Sequence, residues 1–366
     1  MSQKYDLPKI CGFVPSYHEL KANKRYLWCS CGLSKTAPFC DGSQAGTSFK
    51  PVMVKGQCDG QEALFCECKH TKTPPFCDGT HANLEGGYQQ DDPESPVNAK
   101  IQQVGNVDDA LTKLDNGCVV VRPNRLDKKQ EGTIRWCPLV THLEGAEHQT
   151  QFYAEVGQGQ SPQLLAKDVE MVIFVFEGSG SIALAGKSYN LLPSSGVYVG
   201  ANESFSFDNP DEAPLKLYIT RCPGGEATSL VFLDDREKGS IKTADDQDEK
   251  ASEKRVAVLD ENVRNAMGDR FWQILVDESY GADMITQFVG HIPPSKAMPH
   301  RHLYEETLIF KSGQGMVWTL NQKTPVGPGD VLFLPRKQWH SVQSFGPDGM
   351  MVVGVIYPGN NPGINY

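Results

Sequence analysis

The stretch PHRHLYEE at residues 299–306 runs directly into the short apolar segment TLIF. In an extended chain alternate side chains point to the same side, so His300, His302 and Glu306 can share one face. Glu305 has the opposite parity and should point away from that face. Three potential ligands on one face of a strand predict a site inside a barrel, provided that the strand lines an enclosed interior.

A fourth potential ligand, His340, ends the stretch GDVLFLPRKQWH at residues 329–340. The two stretches resemble the motifs of the cupin family, in which H-x-H-x3-E precedes a strand that ends in glycine and a proline is followed by a histidine a few residues later. This resemblance implies a double-stranded β-helix barrel in which His300, His302, Glu306 and His340 bind one divalent metal.

Three positions depart from the family pattern without removing a ligand. Lys337 and Ser344 occupy positions often taken by Gly and Asn, and Pro294 stands near the usual upstream Gly. Imidazole and carboxylate ligands suit several divalent transition metals, and a six-coordinate metal would keep positions open for substrate and oxygen. We expect Fe(II) at this site, with Mn, Zn and Ni as alternatives.

The segment EMVIFVFEGSG at residues 170–180 aligns without a gap with EETLIFKSGQG at residues 305–315. The same offset of 135 residues places Leu165, Lys167 and Met171 at the ligand positions. The alignment predicts a duplicated β domain whose first barrel binds no metal, as in bicupins that keep one active half. The first barrel would then serve in packing, in dimerisation or in shaping the second site.

The amino-terminal region contains a different repeat, offset by 37 residues. In each copy two cysteines stand two positions apart, and a third follows nine residues later, directly before Asp-Gly. The cysteines are Cys29, Cys31 and Cys40 in the first copy and Cys66, Cys68 and Cys77 in the second, where His81 follows. Three thiolates and one imidazole suit zinc or an iron–sulfur cluster, so the spacing alone leaves both open.

The repeated pattern C-x-C-x2-[ST]-x3-P-x-C-D-G-[ST]-H resembles the CDGSH iron–sulfur family, whose members bind a [2Fe-2S] cluster through three cysteines and one histidine. The resemblance implies a cluster at the second copy and three cysteine ligands for a further cluster at the first copy. There Gln44 replaces the histidine, and its carboxamide oxygen is a weaker ligand for iron. The first site could hold a labile cluster, borrow His18 as a ligand, or hold none.

The composition is that of a soluble globular protein, with 366 residues, 39% hydrophobic residues and a formal net charge of -10. The acidic balance argues against a nucleic-acid partner, because phosphate binding needs clustered Lys and Arg. The start MSQKYDLPKICGFVP has no apolar signal segment, and the longest apolar run, at residues 171–176, is too short to cross a membrane. We expect a cytoplasmic protein without a membrane partner.

Short apolar runs separated by Gly, Pro, Asn and Asp predict a mainly β chain, with one candidate short helix at residues 106–114. Polar stretches at residues 89–96 and 234–255 lack apolar periodicity and are predicted linkers. The expected domains are a tandem CDGSH-type iron–sulfur domain at residues 1–95, a metal-free first barrel at 96–250 and a metal-binding second barrel at 251–366.

Several residues near the motifs are weaker candidates. Arg301 and Arg336 stand beside ligands and could pair with a substrate carboxylate, although alternation aims Arg301 away from the metal. His142 and His148 fall outside the aligned ligand positions and are predicted to be surface residues. Candidates for the barrel lining are Gln273, Gln287, Tyr304 and Trp318.

An electron-transfer module joined to a mononuclear metal site suggests that electrons reach the metal or its substrate. The leading hypothesis is an oxygenase, in which the cluster at Cys66, Cys68, Cys77 and His81 passes electrons to Fe(II), where O2 and a small organic substrate react. We expect a homo-oligomer and an external electron donor, because the sequence has no nucleotide-binding glycine loop. The alternatives are a non-redox hydrolase, lyase or isomerase with a structural or regulatory cluster domain, and a redox or iron sensor that depends on Gln44.

Overall fold

The computed structural model describes residues 7–226, 228–233, 254–260, 262–364 and 366. Regular structure in these ranges is mostly β-strand, arranged as a small amino-terminal module and two β-barrels, so the predicted mainly β fold is confirmed. None of the helices in these ranges has the length and apolar character needed to cross a bilayer. Short 3-10 helices lie between strands at Thr80–Asn83, Asn98–Lys100, Asp115–Gly117, Pro123–Arg125, His142–Glu144 and Glu278–Tyr280.

The amino-terminal module interleaves the two copies of its repeat. Its strands are β1 (Ser16–Leu20), β2 (Arg25–Trp28), β3 (Val52–Lys55) and β4 (Gln61–Phe65). Strand β1 pairs with β4 and β2 pairs with β3, so each two-stranded antiparallel sheet takes one strand from each copy. Leu20, Trp28 and Phe65 are buried in the shared core. Because the copies share both sheets and one core, they form one folded unit.

The strands of the first barrel are β8 (Lys129–Glu131), β9 (Ile134–Val140), β10 (Thr150–Val156), β11 (Gly159–Gln160), β12 (Leu164–Leu165), β13 (Glu170–Glu177), β14 (Gly180–Leu184), β15 (Lys187–Leu191), β16 (Ser195–Val199), β17 (Ser204–Asn209), β18 (Leu215–Cys222) and β19 (Val256–Val258). They form a large sheet in the order β19-β16-β13-β18-β10-β9-β8 and a small sheet built around β17 and β14. Ile134, Phe152, Met171 and Phe205 are among the buried side chains that fill the interior.

The strands of the second barrel are β5 (Gln102–Gln103), β6 (Leu111–Lys113), β7 (Val119–Val121), β20 (Asn265–Met267), β21 (Arg270–Val276), β22 (Thr286–Ile292), β23 (Glu305–Ser312), β24 (Gln314–Trp318), β25 (Gln322–Val326), β26 (Val331–Leu334), β27 (Ser341–Phe345) and β28 (Met350–Tyr357). The large sheet has the order β20-β21-β22-β28-β23-β26-β7-β6, and the small sheet has the order β27-β24-β25-β5. Glu306 pairs with Leu334 as Met171 pairs with Val199, which matches the duplication at an offset of 135 residues.

The barrels do not coincide with the predicted ranges 96–250 and 251–366. Strand β7 pairs with β26, and β19 pairs with β16, so each large sheet contains a strand from the other range. The candidate helix at residues 106–114 was wrong, because β6 occupies part of it. The pairing of β6 with the valine run of β7 outweighs the weak local pattern. The predicted boundary at 250 and residues 234–253 of the second linker lie outside the described residues.

Two buried glutamates hold the barrels together in a pseudo-symmetric way. The carboxylate of Glu305 accepts hydrogen bonds from the backbone N–H groups of residues 147–149 in the first barrel. The carboxylate of Glu170, at the equivalent position, accepts three backbone hydrogen bonds from residues 283–285 in the second barrel. Apolar side chains of both large sheets form a common core around these contacts. Strand β23, which carries Glu306, is therefore held against the first barrel through the neighbouring residue Glu305.

Candidate metal centre

The structure brings the four residues of the two sequence motifs together at one end of the second barrel. Nitrogen atoms of His300, His302 and His340 lie within 4.8 Å of one another. His302 Nε2 is 3.1 Å from His340 Nε2 and 3.4 Å from a carboxylate oxygen of Glu306. Glu305, one residue before Glu306, points to the first barrel, as its parity predicts. The three imidazoles thus lie mutually close, and the Glu306 carboxylate joins them through its contact with His302.

Backbone carbonyl groups orient two of the imidazoles. His300 Nδ1 lies 2.9 Å from the carbonyl oxygen of Met298, and His340 Nδ1 lies 3.0 Å from that of Gln338. A carbonyl oxygen only accepts, so each Nδ1 carries the proton and each Nε2 keeps a free lone pair. His302 is held differently, by stacking of its ring on Tyr304 with centroids 4.4 Å apart. The imidazoles are therefore fixed in orientations suited to metal binding.

The charge states of these groups fit a divalent cation. Desolvation lowers the pKa of His300 well below its usual value and the pKa of His340 to about 4, so both rings are neutral at neutral pH. Burial raises the pKa of the Glu306 carboxyl to about 8. The ionised form of Glu306 would be favoured by a nearby positive charge, which a metal ion would supply. Neutral imidazoles and one carboxylate suit Fe(II), Mn(II), Ni(II) or Zn(II).

The four candidate ligands lie in a pocket that is mostly apolar. The empty space between its walls, which includes open solvent at the mouth, is about 580 Å³. Besides the ligands, polar side chains come from Arg270, His291 and Tyr304. The apolar lining is contributed by Met267, Phe271, Trp272, Phe288, Ile292, Leu308, Val342, Val352 and Pro362.

Several weaker candidates of the sequence lie away from this pocket. The guanidinium of Arg301 lies against the rings of Trp339 and Tyr366, at 4.8 and 4.5 Å. Arg336 forms an ion pair with Glu62 of the amino-terminal module. Gln273, Gln287 and Trp318 are buried but do not line the pocket, whereas Tyr304 does. His142 is exposed, and half-buried His148 stacks on Tyr357.

Arg270 is a pocket residue that sequence reasoning missed, although the duplication contained a signal for it. Strands β9 and β21 are each seven residues long and lead to a 3-10 helix that ends at Gly145 or Gly281. In this alignment, at an offset of 136 residues, Arg270 is equivalent to Ile134 of the first barrel. A charged residue at the position of a buried isoleucine indicates that the two interiors differ.

The first barrel has apolar packing where the second has its ligands. Met171 and Phe205, which align with Glu306 and His340, are 3% and 1% exposed and belong to the first-barrel core. Leu165 lies on β12, and Lys167 follows that strand. Large apolar side chains thus occupy the space that corresponds to the second pocket.

The second cysteine set of the amino-terminal module forms two close pairs. The sulfur atoms of Cys66 and Cys68 are 3.4 Å apart, and Cys77 Sγ is 3.3 Å from His81 Nδ1. Burial raises the pKa of the Cys77 thiol to about 12. Burial also lowers the pKa of His81, which keeps the ring neutral. Two pairs of soft ligands fit the two iron atoms of a [2Fe-2S] cluster.

The first set has the same backbone frame but a different fourth residue. The sulfur atoms of Cys29 and Cys31 are 3.5 Å apart, and the thiol of Cys40 donates a hydrogen bond to Gln44 Oε1 at 3.0 Å. The ring of His18 packs edge-on against Phe39, with centroids 4.9 Å apart, and its Nε2 lies 2.8 Å from Ser16 Oγ. These contacts engage His18 away from the three cysteines, which favours Gln44 as the fourth neighbour.

The second cysteine set lies beside the pocket of the second barrel. The side-chain amide of Asn361 donates a hydrogen bond to the carbonyl oxygen of Asp78, and the next residue, Pro362, lines the pocket. Gly79 has φ 84°, and a side chain there would lie 2.7 Å from the carbonyl oxygen of Gly363, so this turn accepts only glycine. The chain after β28 is thus packed between the cluster ligands and the pocket.

Comparisons with known proteins agree with this architecture. Residues 288–356, which include all four candidate ligands, match the family model of the Cupin domain. An oxalate decarboxylase from Lactobacillus farciminis, solved as a formate complex, has 13% identity and a TM-score of 0.51, over 70% of this chain and 88% of that one. The coconut allergen cocosin has 10% identity and a TM-score of 0.52, over 66% and 85%. At these identities the likeness shows the fold alone.

The strand arrangement and these likenesses together define a mainly β protein with two barrels of cupin fold. Its amino-terminal region is similar to a second kind of protein, the mitochondrial CDGSH iron-sulfur domain-containing protein 3 of Mus musculus. The identity is 45% over 52 residues, which is 14% of this chain and 38% of the mouse protein. The chain therefore spans less than half the length of that relative.

Proposed function

We propose that this chain is a metal-dependent oxidoreductase, an oxygenase that acts on a small organic substrate with electrons from its own [2Fe-2S] module. The second barrel would hold Fe(II) through His300, His302, Glu306 and His340. The amino-terminal module would hold a cluster through Cys66, Cys68, Cys77 and His81. An external reductant would supply the electrons.

The observation that carries the proposal is a continuous set of contacts between the two ligand sets. The ring of His302 stacks on Tyr304, whose hydroxyl donates a hydrogen bond to the carbonyl oxygen of Pro362 at 3.0 Å. Asn361, the residue before Pro362, donates a hydrogen bond to the carbonyl oxygen of Asp78 at 3.2 Å, and Asp78 follows Cys77 directly. A packed, hydrogen-bonded connection favours electron transfer over an accidental placement of two metal sites.

A second contact ties the 3-10 helix that carries His81 to the pocket wall. Asn83 donates to the carbonyl oxygen of Ala266 at 2.9 Å and accepts from the backbone N–H of Gly268 at 3.1 Å. Met267, between these residues, lines the pocket. The cluster ligands and the pocket wall are therefore held together on two sides.

The residues of the chain have distinct tasks in this proposal. His300 and His340 present Nε2 lone pairs because their Nδ1 protons are bound to carbonyl groups, and the mostly apolar walls would limit the water around the reacting centre. An iron ion at this site would supply open positions for O2 and substrate and would carry the redox change. A cluster with one imidazole ligand would supply single electrons, and its potential is raised relative to a cluster held by thiolates alone.

The first test is the metal and sulfide content of the full chain purified without oxygen, with paramagnetic resonance spectra before and after dithionite. We expect labile sulfide, a reducible cluster signal and about one iron beyond the cluster complement. His300→Ala should lose that extra iron and keep its sulfide, whereas His142→Ala, which changes an exposed histidine, should keep both. Cluster iron accompanied by stoichiometric Mn or Zn would contradict the oxygenase and favour a non-redox metal enzyme.

A further inference from the structure

Arg270, the first residue of β21, presents a buried positive charge to the pocket. Its side chain is 8% exposed and lines the pocket together with the candidate metal ligands. One terminal nitrogen donates to the carbonyl oxygen of Val342 at 3.1 Å, but Nε has no hydrogen-bond partner among the described residues. The carboxylate of Asp269 forms an ion pair with the guanidinium, 3.8 Å from Nε, which is too long for a hydrogen bond. Part of the donor capacity of this guanidinium is therefore unused.

Asp269 partly offsets the charge of Arg270, and a divalent metal would make the pocket positive overall. The guanidinium lines the same pocket as His300 and His340, whose rings are neutral. Lys296, the other nearby cation, is paired with Asp91. The charge of Glu306 would be matched by the metal ion that it helps to bind. A bound metal and Arg270 together would then favour an anionic ligand.

The duplication shows that this charge is specific to the second barrel. The equivalent residue, Ile134, is 1% exposed in a closed apolar core. Burial of a guanidinium at such a position is costly unless a counter-charge reaches it. In the second barrel Asp269 supplies a counter-charge at 3.8 Å, and the same position also lines the pocket, where a ligand carboxylate can form the direct hydrogen bonds that Asp269 does not.

We propose that Arg270 binds the carboxylate of a small monocarboxylic acid whose apolar body packs against the pocket walls, and that such acids are the substrate class of this site. The walls that would receive the apolar body include Trp272, Phe288, Ile292 and Val352. A guanidinium binds a carboxylate through two parallel N–H donors, which the neutral amide of the same acid cannot match. This assignment rests on the proposed function, because it names the substrate of the same pocket.

The test is calorimetric binding of matched acids and amides to the metal-loaded full chain. The probes are hexanoate, benzoate and phenylacetate, each paired with hexanamide, benzamide or phenylacetamide. We expect at least one acid to bind about tenfold or more tightly than its amide. Arg270→Gln should remove that preference, Arg270→Lys should keep part of it, and Arg264→Gln should keep all of it. Arg264 is the matched control, since it is exposed and its guanidinium lies over Phe271 without lining the pocket.

Two results would overturn the assignment. Equal binding of acids and amides to the wild-type chain would show that the pocket does not select an anion, whether or not Arg270→Gln folds. A preference for acids that survives in Arg270→Gln would show that the metal alone binds the carboxylate. Iron and sulfide content of the same samples tests the proposed function separately, because the preference for acids requires neither a cluster nor turnover.

Discussion

The side-chain amide of Asn361 donates a hydrogen bond to the carbonyl oxygen of Asp78, across 283 residues of sequence and over 3.2 Å. Asp78 directly follows the candidate cluster ligand Cys77, and Asn361 directly precedes Pro362 in the pocket wall. Asn361 also accepts a hydrogen bond from the backbone N–H of Gly363, which fixes the local turn. This one side chain therefore connects the amino-terminal module to the candidate metal pocket.

Asn361→Ala should loosen this connection without emptying either site. With Mn(II) in the pocket, the reduced cluster of the wild-type chain should relax faster than with diamagnetic Zn(II). We expect a smaller relaxation difference in Asn361→Ala, measured by power saturation of the cluster resonance. Asn360→Ala is the control, since Asn360 is exposed and its side chain contacts only the next residue among the described contacts. An undiminished difference in Asn361→Ala would argue against this connection.

Gln44→His should stabilise a cluster at the first cysteine set. The structure places Gln44 at the position that His81 holds in the second set, and imidazole is the better ligand for iron. We expect iron and sulfide content to rise toward two complete clusters, with slower loss of visible absorption in the presence of a chelator. His81→Gln should have the opposite effect at the second set. Unchanged iron and sulfide in Gln44→His would mean that Gln44 does not limit the first site.

Glu305→Gln should destabilise the fold by about 2 kcal/mol, because the carboxylate accepts backbone hydrogen bonds from three residues of the other barrel. The effect should depend on pH. Burial raises the pKa of Glu305 in the folded chain above the ordinary value of 4.5 that it has in the unfolded chain. At a pH between the unfolded-state and folded-state pKa, the folded chain therefore binds more protons than the unfolded chain. The contribution of the wild-type carboxyl to the free energy of unfolding therefore falls as pH rises from about 4.5.

The measurement is the difference in free energy of unfolding between the wild-type chain and Glu305→Gln over a range of pH. We expect the difference to be largest below the ordinary pKa and to shrink as pH rises. Glu147→Gln serves as the control, because the side chain of Glu147 is 79% exposed. A difference that grows with pH would contradict the assigned direction of the pKa shift.

The sequence could predict the parts of the site that depend on local spacing. Alternation placed His300, His302 and Glu306 on one side and Glu305 on the other. The structure brings the first three into one pocket, although only Glu305 and Glu306 lie on β23 and residues 300–304 form an irregular segment before it. The barrel duplication was visible because buried strands keep their apolar pattern. These features depend on contacts between residues near in sequence or on a repeated pattern, so a single chain contains enough information for them.

Other features depend on pairing over long distances, which no local pattern specifies. Strand β7 completes the second barrel although it precedes the whole first barrel in the chain, and its pairing with β6 replaced a predicted helix. The position of the Asn361 turn is fixed by Asp78 and Gly79, in another module. Arg270 was missed because its strand reads as an ordinary apolar strand unless it is compared with β9.

The most direct test of the central claim is the rate at which O2 reoxidises the dithionite-reduced cluster after the reductant has been removed. If electrons leave through the pocket metal, the wild-type chain and His142→Ala should reoxidise about tenfold or more faster than His302→Ala, which loses the metal but keeps its cluster. Equal rates in the wild-type chain and His302→Ala, with cluster content unchanged, would contradict electron transfer between the two sites.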